Sequence, residues 1–169
     1  MQRRNQTHPS CWSPREQSLT PLQYAYRLLA QRAYSEKELE ERLVGKGFTQ
    51  KAVAQVVAQL KAQGYVNDAS LAHEQAERLK EKGYGRRRIQ EKLYYRGLAA
   101  SLIDEATQEV VSAQEEIEAA RRLLERRFGE GRLKDHKSQG RAFRFLISRG
   151  YPMDVAATLV GTEEEGSEN

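Results

Sequence analysis

Apolar residues recur at intervals of three and four along most of the chain, with charged residues between them. The pattern begins near Pro21 with Leu22, Tyr26 and Leu29, and it continues through Leu39, Leu43, Val53, Val56, Val57 and Leu60. This spacing places apolar side chains on one face of an α-helix. No stretch alternates with a period of two for long enough to predict a strand. The pattern therefore predicts an all-α fold.

A short pattern, Leu-x-x-basic-Gly-apolar, occurs three times, at residues 43–48, 93–98 and 146–151. Twelve residues before the glycine of each copy stands a residue suited to begin a helix, namely Ser35, Gly85 and Ser138. A fixed offset that recurs at this period is typical of one supersecondary unit used several times. We therefore predict three tandem three-helix repeats that pack end to end into an elongated, curved array.

Capping residues set the expected limits of the helices. Ser35 followed by Glu38 has the form of a capping box, and Gly47 and Gly64 are suited to end helices. Either Asn67 or Asp68 can begin the next helix. The connection from residue 128 to 137 is longer and more basic than its counterparts. The predicted divisions are a disordered leader (1–20), three repeats (21–66, 67–113 and 114–161) and an acidic disordered tail (162–169).

Composition limits how these repeats can be built. The chain of 169 residues is 38% hydrophobic and 31% charged. That length fits one ordinary domain or three small modules that complete one another's cores. The balance favours thin helical layers over a thick core around a deep active site.

Positive charge is concentrated toward the C-terminal part of the chain. The formal net charge is +4, and residues 121–150 contain ten Lys or Arg against three acidic residues. This distribution predicts an anionic partner, either nucleic acid or an acidic protein groove. Solvated charged helix faces are the alternative interpretation.

The residues needed for common catalytic chemistry are missing or scattered. Cys11 is the single cysteine, and the three histidines (His8, His73 and His136) stand far apart, so we expect no metal site. No glycine-rich phosphate loop follows a strand. The adjacent pairs 40–41 and 115–116 are glutamates whose side chains point about 100° apart on a helix, which favours solvated face residues. We predict no enzyme activity, no catalytic residue and no cofactor.

Localisation follows from two negative observations. No apolar stretch approaches the roughly 20 residues that span a bilayer. The N-terminus also lacks the apolar core of a secretion signal. We therefore expect a cytoplasmic protein without a membrane partner, and the lack of a coiled-coil seam or large apolar patch favours a monomer.

The second helices of the middle and last repeats carry the candidate binding residues. Spacing of four places Arg88, Lys92 and Arg96 in one stripe beside the apolar stripe of that helix. The full set of predicted contact residues is Arg86, Arg87, Arg88, Lys92, Arg96, Arg141, Arg144 and Arg149. Nearby tyrosines, Tyr84, Tyr94 and Tyr95, are suited to stack on bases, to bury at a protein interface or to close helix contacts.

Four longer motifs occur across the three repeats: Ser-Glu-x-Glu-Leu-x-x-x-Leu at 35–43, Gly-Tyr-Val-Asn-Asp at 64–68, the segment 82–97 and Arg-Phe-Leu-x-x-Arg-Gly-Tyr at 144–151. Together they resemble the RecX family, bacterial regulators of the RecA recombinase. Leu71 stands where the family usually has an aromatic residue, a conservative difference that affects only local packing. The likeness spans about residues 22–160.

The resemblance implies a non-enzymatic protein that binds in the helical groove of the RecA–DNA filament. It implies suppression of filament extension, ATP hydrolysis, strand exchange and stimulated repressor cleavage, with weak, sequence-independent contact to single- and double-stranded DNA. Two alternatives remain open at this point. One is an autonomous helix-turn-helix-like protein that recognises a specific DNA sequence, and the other is a scaffold that makes no contact with DNA.

Overall fold

The computed structural model describes residues 19–129 and 135–161. Within these ranges the chain forms nine α-helices and no strand. Their bounds are α1 Pro21–Leu29, α2 Glu36–Gly45, α3 Gln50–Ala62, α4 Asp68–Glu81, α5 Arg86–Tyr95, α6 Ala100–Val110, α7 Ala113–Phe128, α8 His136–Arg149 and α9 Met153–Val160. Most helix–helix packing joins helices of the same group of three. The all-α class and the tandem three-helix repeats are confirmed, while the elongated, curved shape stays a prediction.

Short polar side chains begin most of these helices. The capping box predicted at Ser35 forms, because the Ser35 Oγ accepts from the Glu38 N–H at 3.1 Å and the Glu38 carboxylate accepts from the Ser35 N–H at 3.1 Å. Asn67 caps α4 and Asp68 is its first residue. Gly47 and Gly64 follow their helices with φ of +103° and +77°, a conformation that favours glycine.

The predicted start of α8 is wrong by about one turn. Asp135, rather than Ser138, is the N-cap residue, and its carboxylate accepts from the Ser138 N–H at 2.6 Å. Aspartate competes well with serine for this position, so the helix begins at His136 and shortens the expected connection. Residues 130–134 of that connection lie outside the described residues, as do the tail 162–169 and residues 1–18 of the leader.

Each repeat has its own buried apolar cluster. The middle repeat buries Leu71, Ala72, Ala76, Ile89, Leu93, Leu98, Ile103, Ala106, Val110 and Val111. The clusters of the first and third repeats are likewise drawn from residues 25–66 and 120–160. Each of these clusters lies within one repeat, and polar contacts join neighbouring repeats.

Candidate functional site

One contact is used twice to join neighbouring repeats. The N-terminus of the second helix of one repeat meets the C-terminus of the second helix of the next. At the first joint the Ser35 Oγ donates to the Arg96 carbonyl at 2.6 Å. At the second joint the Gly85 N–H donates to the Arg149 carbonyl at 2.9 Å. All three short motifs seen in the sequence therefore supply helix ends, and those of the middle and last repeats also supply interfaces.

Close backbone approach explains the glycine at the second joint. A Cβ on Gly150 would lie 2.4 Å from both the Cβ and the backbone nitrogen of Arg88, and its φ is +88°. Both observations exclude a larger residue without movement of α5 or α8. In contrast, a Cβ on Gly47, the equivalent glycine of the first repeat, would meet nothing within 4 Å. The first repeat has no preceding repeat to pack against this glycine in the described part of the chain.

A carboxylate from the next repeat completes each joint. The Asp68 Oδ1 accepts from the Glu36 N–H at 3.0 Å, and the Glu116 Oε1 accepts from the Arg86 N–H at 2.7 Å. Burial raises the pKa of Asp68, and the hydrogen bond from Glu36 partly offsets this rise. Because free N–H groups and positive dipole ends lie at helix N-termini, both carboxylates stabilise the helices they approach.

Glu116 was interpreted from sequence as a solvated face residue, and that interpretation is wrong. Its exposed fraction is 6%. The N-cap residue of the helix that it caps is Gly85, which has no capping side chain of its own. A missing side-chain cap at Gly85 was therefore the sequence signal that an external acceptor was needed.

The first joint also contains an ion cluster around Glu38. Arg96 donates from Nε to Oε1 at 3.1 Å and from an Nη to Oε2 at 2.7 Å, and Arg32 donates to the same carboxylate at 3.1 Å. Burial alone would raise the pKa of Glu38, but the hydrogen bonds from Arg96, Arg32 and the Ser35 N–H outweigh it and lower that pKa to about 2. The Arg96 guanidinium also donates to the Ala33 carbonyl at 2.9 Å, so it is bound to the backbone as well as to Glu38.

The second joint places cationic groups around Tyr84. The Lys92 ammonium lies 4.9 Å from the centre of the Tyr84 ring, and the Arg149 guanidinium lies 5.1 Å from it. Arg149 also donates to the Lys82 carbonyl at 3.3 Å. Arg88 packs beside Gly150 at the same joint. Three predicted binding residues from two repeats, Arg88, Lys92 and Arg149, are thus brought to one place.

The eight predicted contact residues fall into two groups. Arg86, Arg96 and Arg149 take part in the joints: the Arg86 N–H, for example, donates to the Glu116 carboxylate. Arg87, Arg141 and Arg144 are exposed, and Arg88 and Lys92 are partly exposed. Binding by any of the eight stays a prediction. The exposed residues Arg87, Arg141 and Arg144 are better suited to test it, because Arg88 and Lys92 also make contacts at the second joint.

An open cleft of about 520 Å³ lies between the middle and last repeats. Its lining includes His73, Lys80, Glu115 and Arg126, and His73 lies 3.7 Å from Glu109. The lining holds no serine, threonine or cysteine among the described residues. Across residues 19–129 and 135–161, no group of three His, Cys, Asp or Glu side chains is arranged to hold a metal ion.

None of the helices within residues 19–129 and 135–161 has both the length and the apolar character needed to cross a membrane.

Comparison with known proteins assigns the chain to a family of helical regulators. Three family models match in order: "RecX, first three-helix domain" over residues 22–60, "RecX, second three-helix domain" over 67–106, and "RecX, third three-helix domain" over 114–160. The three matched segments account for most of the described chain. The chain belongs to the RecX family of regulatory proteins.

Individual relatives agree with this assignment. The chain is 32% identical over 136 residues to Regulatory protein RecX of Pseudomonas putida KT2440, covering 80% of this chain and 86% of that protein. It is 28% identical to Regulatory protein RecX of Caldanaerobacter subterraneus, covering 78% of this chain but 64% of that longer protein. The crystal structure of RecX from Lactobacillus salivarius has a TM-score of 0.74 at 16% identity, over 84% of this chain and 93% of that one, which shows a shared fold.

Proposed function

We propose that the chain regulates the RecA recombinase by binding in the groove of the RecA–DNA filament. Binding there inhibits filament extension, ATP hydrolysis, strand exchange and coprotease activity. The protein acts as a cytoplasmic monomer without catalysis or a cofactor, and it makes weak, sequence-independent contacts with single- and double-stranded DNA. Family membership over all three repeats is the observation that carries this proposal.

The arrangement of charge supports the proposal. The second joint places Lys92 and Arg149 beside the ring of Tyr84. Arg88 lies beside Gly150 at the same joint, and Arg87 is exposed on the same helix. Arg141 and Arg144 add exposed charge on α8. A surface of this kind attracts a long polyanion or an acidic protein groove. The joints fix the repeats relative to one another, so these charges can act as one surface.

The test is the single-stranded-DNA-dependent ATPase of the cognate RecA, titrated with this protein well below one molecule per RecA subunit. We expect inhibition at these low ratios, since a filament regulator acts on many subunits. The double variant Arg141→Glu/Arg144→Glu should raise the half-inhibitory concentration about two- to thirty-fold, because each exposed charge contact contributes roughly 0.2–1 kcal/mol. Lys51→Glu, at an exposed position on α3 of the first repeat, is the matched control and should leave inhibition unchanged.

Two results would contradict the proposal. The first is the absence of ATPase inhibition even with the protein in excess. The second is a retained preference for one DNA site against excess nonspecific DNA, which is the behaviour of a sequence-specific binding protein. Under the proposal, affinity for DNA alone is independent of sequence and falls steeply as salt increases. Circular dichroism of each variant separates a lost contact from a lost fold.

A further inference from the structure

Two adjacent tyrosine rings stand in solvent at the C-terminal end of α5. The exposed fractions of Tyr94 and Tyr95 are 70% and 78%. Their ring centres lie 6.3 Å apart at an interplanar angle of 70°. A buried aromatic ring stabilises a fold through its large apolar area, whereas these two rings bury little of theirs. Their contribution to folding is therefore small, and another role has to account for them.

The other two repeats show that the fold does not require tyrosine here. The short motif places Val44 and Gly45 at the equivalent positions of α2, and Ile147 and Ser148 at those of α8. Valine and isoleucine are smaller than tyrosine, and glycine and serine present no apolar ring. A glycine with a positive φ follows this helix in all three repeats. The exposed ring pair is thus a feature of the middle repeat alone.

Positive charge surrounds the ring pair. Helix α5 carries four basic residues and one acidic residue. A spacing of seven places Arg87 on the same side of the helix as Tyr94, and spacings of seven and three place Arg88 and Lys92 on the same side as Tyr95. Arg88 is paired with the one acidic residue of α5, at 2.5 Å. Arg87 is exposed and makes no ion pair with any residue in the described part of the chain.

We propose that this face of α5 binds single-stranded nucleic acid, with Tyr94 and Tyr95 stacking on bases and Arg87 contacting backbone phosphates. The inference rests on the DNA contact of the proposed function and assigns it to particular residues. Exposed rings next to cations form the usual platform for single strands, since every base offers a flat face. A duplex keeps its bases stacked inside and offers no such face to these rings.

Helix geometry sets the size of the site. Seven residues separate Arg87 from Tyr94, which corresponds to a rise of about 10 Å along the helix. At a spacing of roughly 3.4 Å per stacked nucleotide, this length covers about three nucleotides. Tyrosine and arginine are also enriched in protein interfaces, so the RecA assays below separate a protein partner from a nucleic acid. The four basic residues of α5 outnumber its one acidic residue, which favours an anionic strand.

The experiment measures binding of the full chain to labelled single strands by fluorescence anisotropy, without RecA. One strand is an oligodeoxythymidylate of about 20 nucleotides, which exceeds the roughly 4–16 nucleotides that stacking folds occupy. The other is an abasic strand of equal length. Tyr94→Ala/Tyr95→Ala should weaken binding to the first strand about ten-fold or more and change binding to the abasic strand little. Tyr94→Phe/Tyr95→Phe keeps both rings and should retain binding within about two-fold.

The matched control is Tyr65→Ala, which removes an exposed tyrosine of the first repeat (59% exposed) and should leave affinity for both strands unchanged. Unchanged thymidylate binding by the double alanine variant would overturn the inference. So would an equal loss on both strands, or a loss in the phenylalanine variant, because neither result fits stacking.

Parallel RecA ATPase assays separate this inference from the proposed function. If the double alanine variant binds thymidylate normally but no longer inhibits RecA, the rings contact protein, and the inference fails while the proposed function stands. If the wild-type chain has no affinity for either strand, both the inference and the DNA contact of the proposed function fail.

Discussion

Replacing Arg96 by alanine tests whether the first joint holds the repeats together. Arg96 makes two hydrogen bonds to Glu38, at 3.1 and 2.7 Å, and one to the Ala33 carbonyl at 2.9 Å. The side chains of Arg96 and Glu38 are 19% and 20% exposed, so solvent screens their interaction only in part. The lowering of the Glu38 pKa from 4.5 to about 2 corresponds to at most about 3 kcal/mol. Arg32 retains part of this stabilisation, and we expect Arg96→Ala to reduce the free energy of unfolding by about 2 kcal/mol.

The pH dependence of that loss follows from the direction of the pKa shift. Because folding lowers the pKa of Glu38, the ionised carboxylate stabilises the fold fully above pH 4.5, and this stabilisation is lost as the pH falls from 4.5 toward 2. The effect of Arg96→Ala should therefore be largest near pH 7 and fall to about half by pH 3. Urea unfolding followed by circular dichroism measures both values.

Two control variants sharpen this test. Arg87→Ala removes an exposed arginine of the same helix and should change the free energy of unfolding by less than about 0.5 kcal/mol. Arg96→Lys keeps the charge but loses the bidentate hydrogen bonding to Glu38, so its free energy of unfolding should lie between those of the wild type and the alanine variant. A loss below about 0.5 kcal/mol for Arg96→Ala near pH 7, or an equal loss at both pH values, would refute the ion cluster as a stabilising joint.

Two further predictions concern the joints. Gly150→Ala combines a left-handed φ with a clash against Arg88, and we expect the melting temperature to fall by about 6–12 °C. Gly47→Ala meets only the φ cost and should lower the melting temperature less, by about 2–8 °C. Equal shifts of the two variants in a thermal melt would contradict the close approach. Glu116→Ala should remove the cap on the Arg86 N–H and cost about 1–3 kcal/mol, with faster hydrogen exchange at that amide, while Glu116→Gln keeps an acceptor and should cost less. Unchanged exchange in the alanine variant would argue against capping from the neighbouring repeat.

The sequence predicted the local structure well because local structure depends on residues close together in the chain. The Ser35–Glu38 capping box and the glycine helix ends are examples, since each involves residues within one or two turns. The start of α8 was misplaced because Asp135 and Ser138 are both good caps. The correct repeat architecture followed from the fixed spacing of the three short motifs.

The partners of the charged residues could not be predicted in the same way. Arg96 and Glu38 are 58 positions apart, and nothing in their spacing indicates that they meet. The sequence placed Arg96 in an exposed stripe with Arg88 and Lys92 because four-residue spacing describes one isolated helix. Packing against the first repeat then turns Arg96 inward, while Arg87, which faces away from the joints, stays exposed.

The two joints differ in how much they depend on the following repeat. Helix α2 has its own cap, because the Ser35 side chain accepts from within the helix and Asp68 adds a second acceptor. Helix α5 begins at Arg86, after an N-cap residue, Gly85, that has no side chain to cap the helix, and Glu116 of the last repeat supplies the acceptor. Since tandem repeats are stabilised largely by contacts with their neighbours, the last repeat supports the N-terminus of α5. The exposed basic and aromatic face of α5 is therefore held in place partly by residues outside its own repeat.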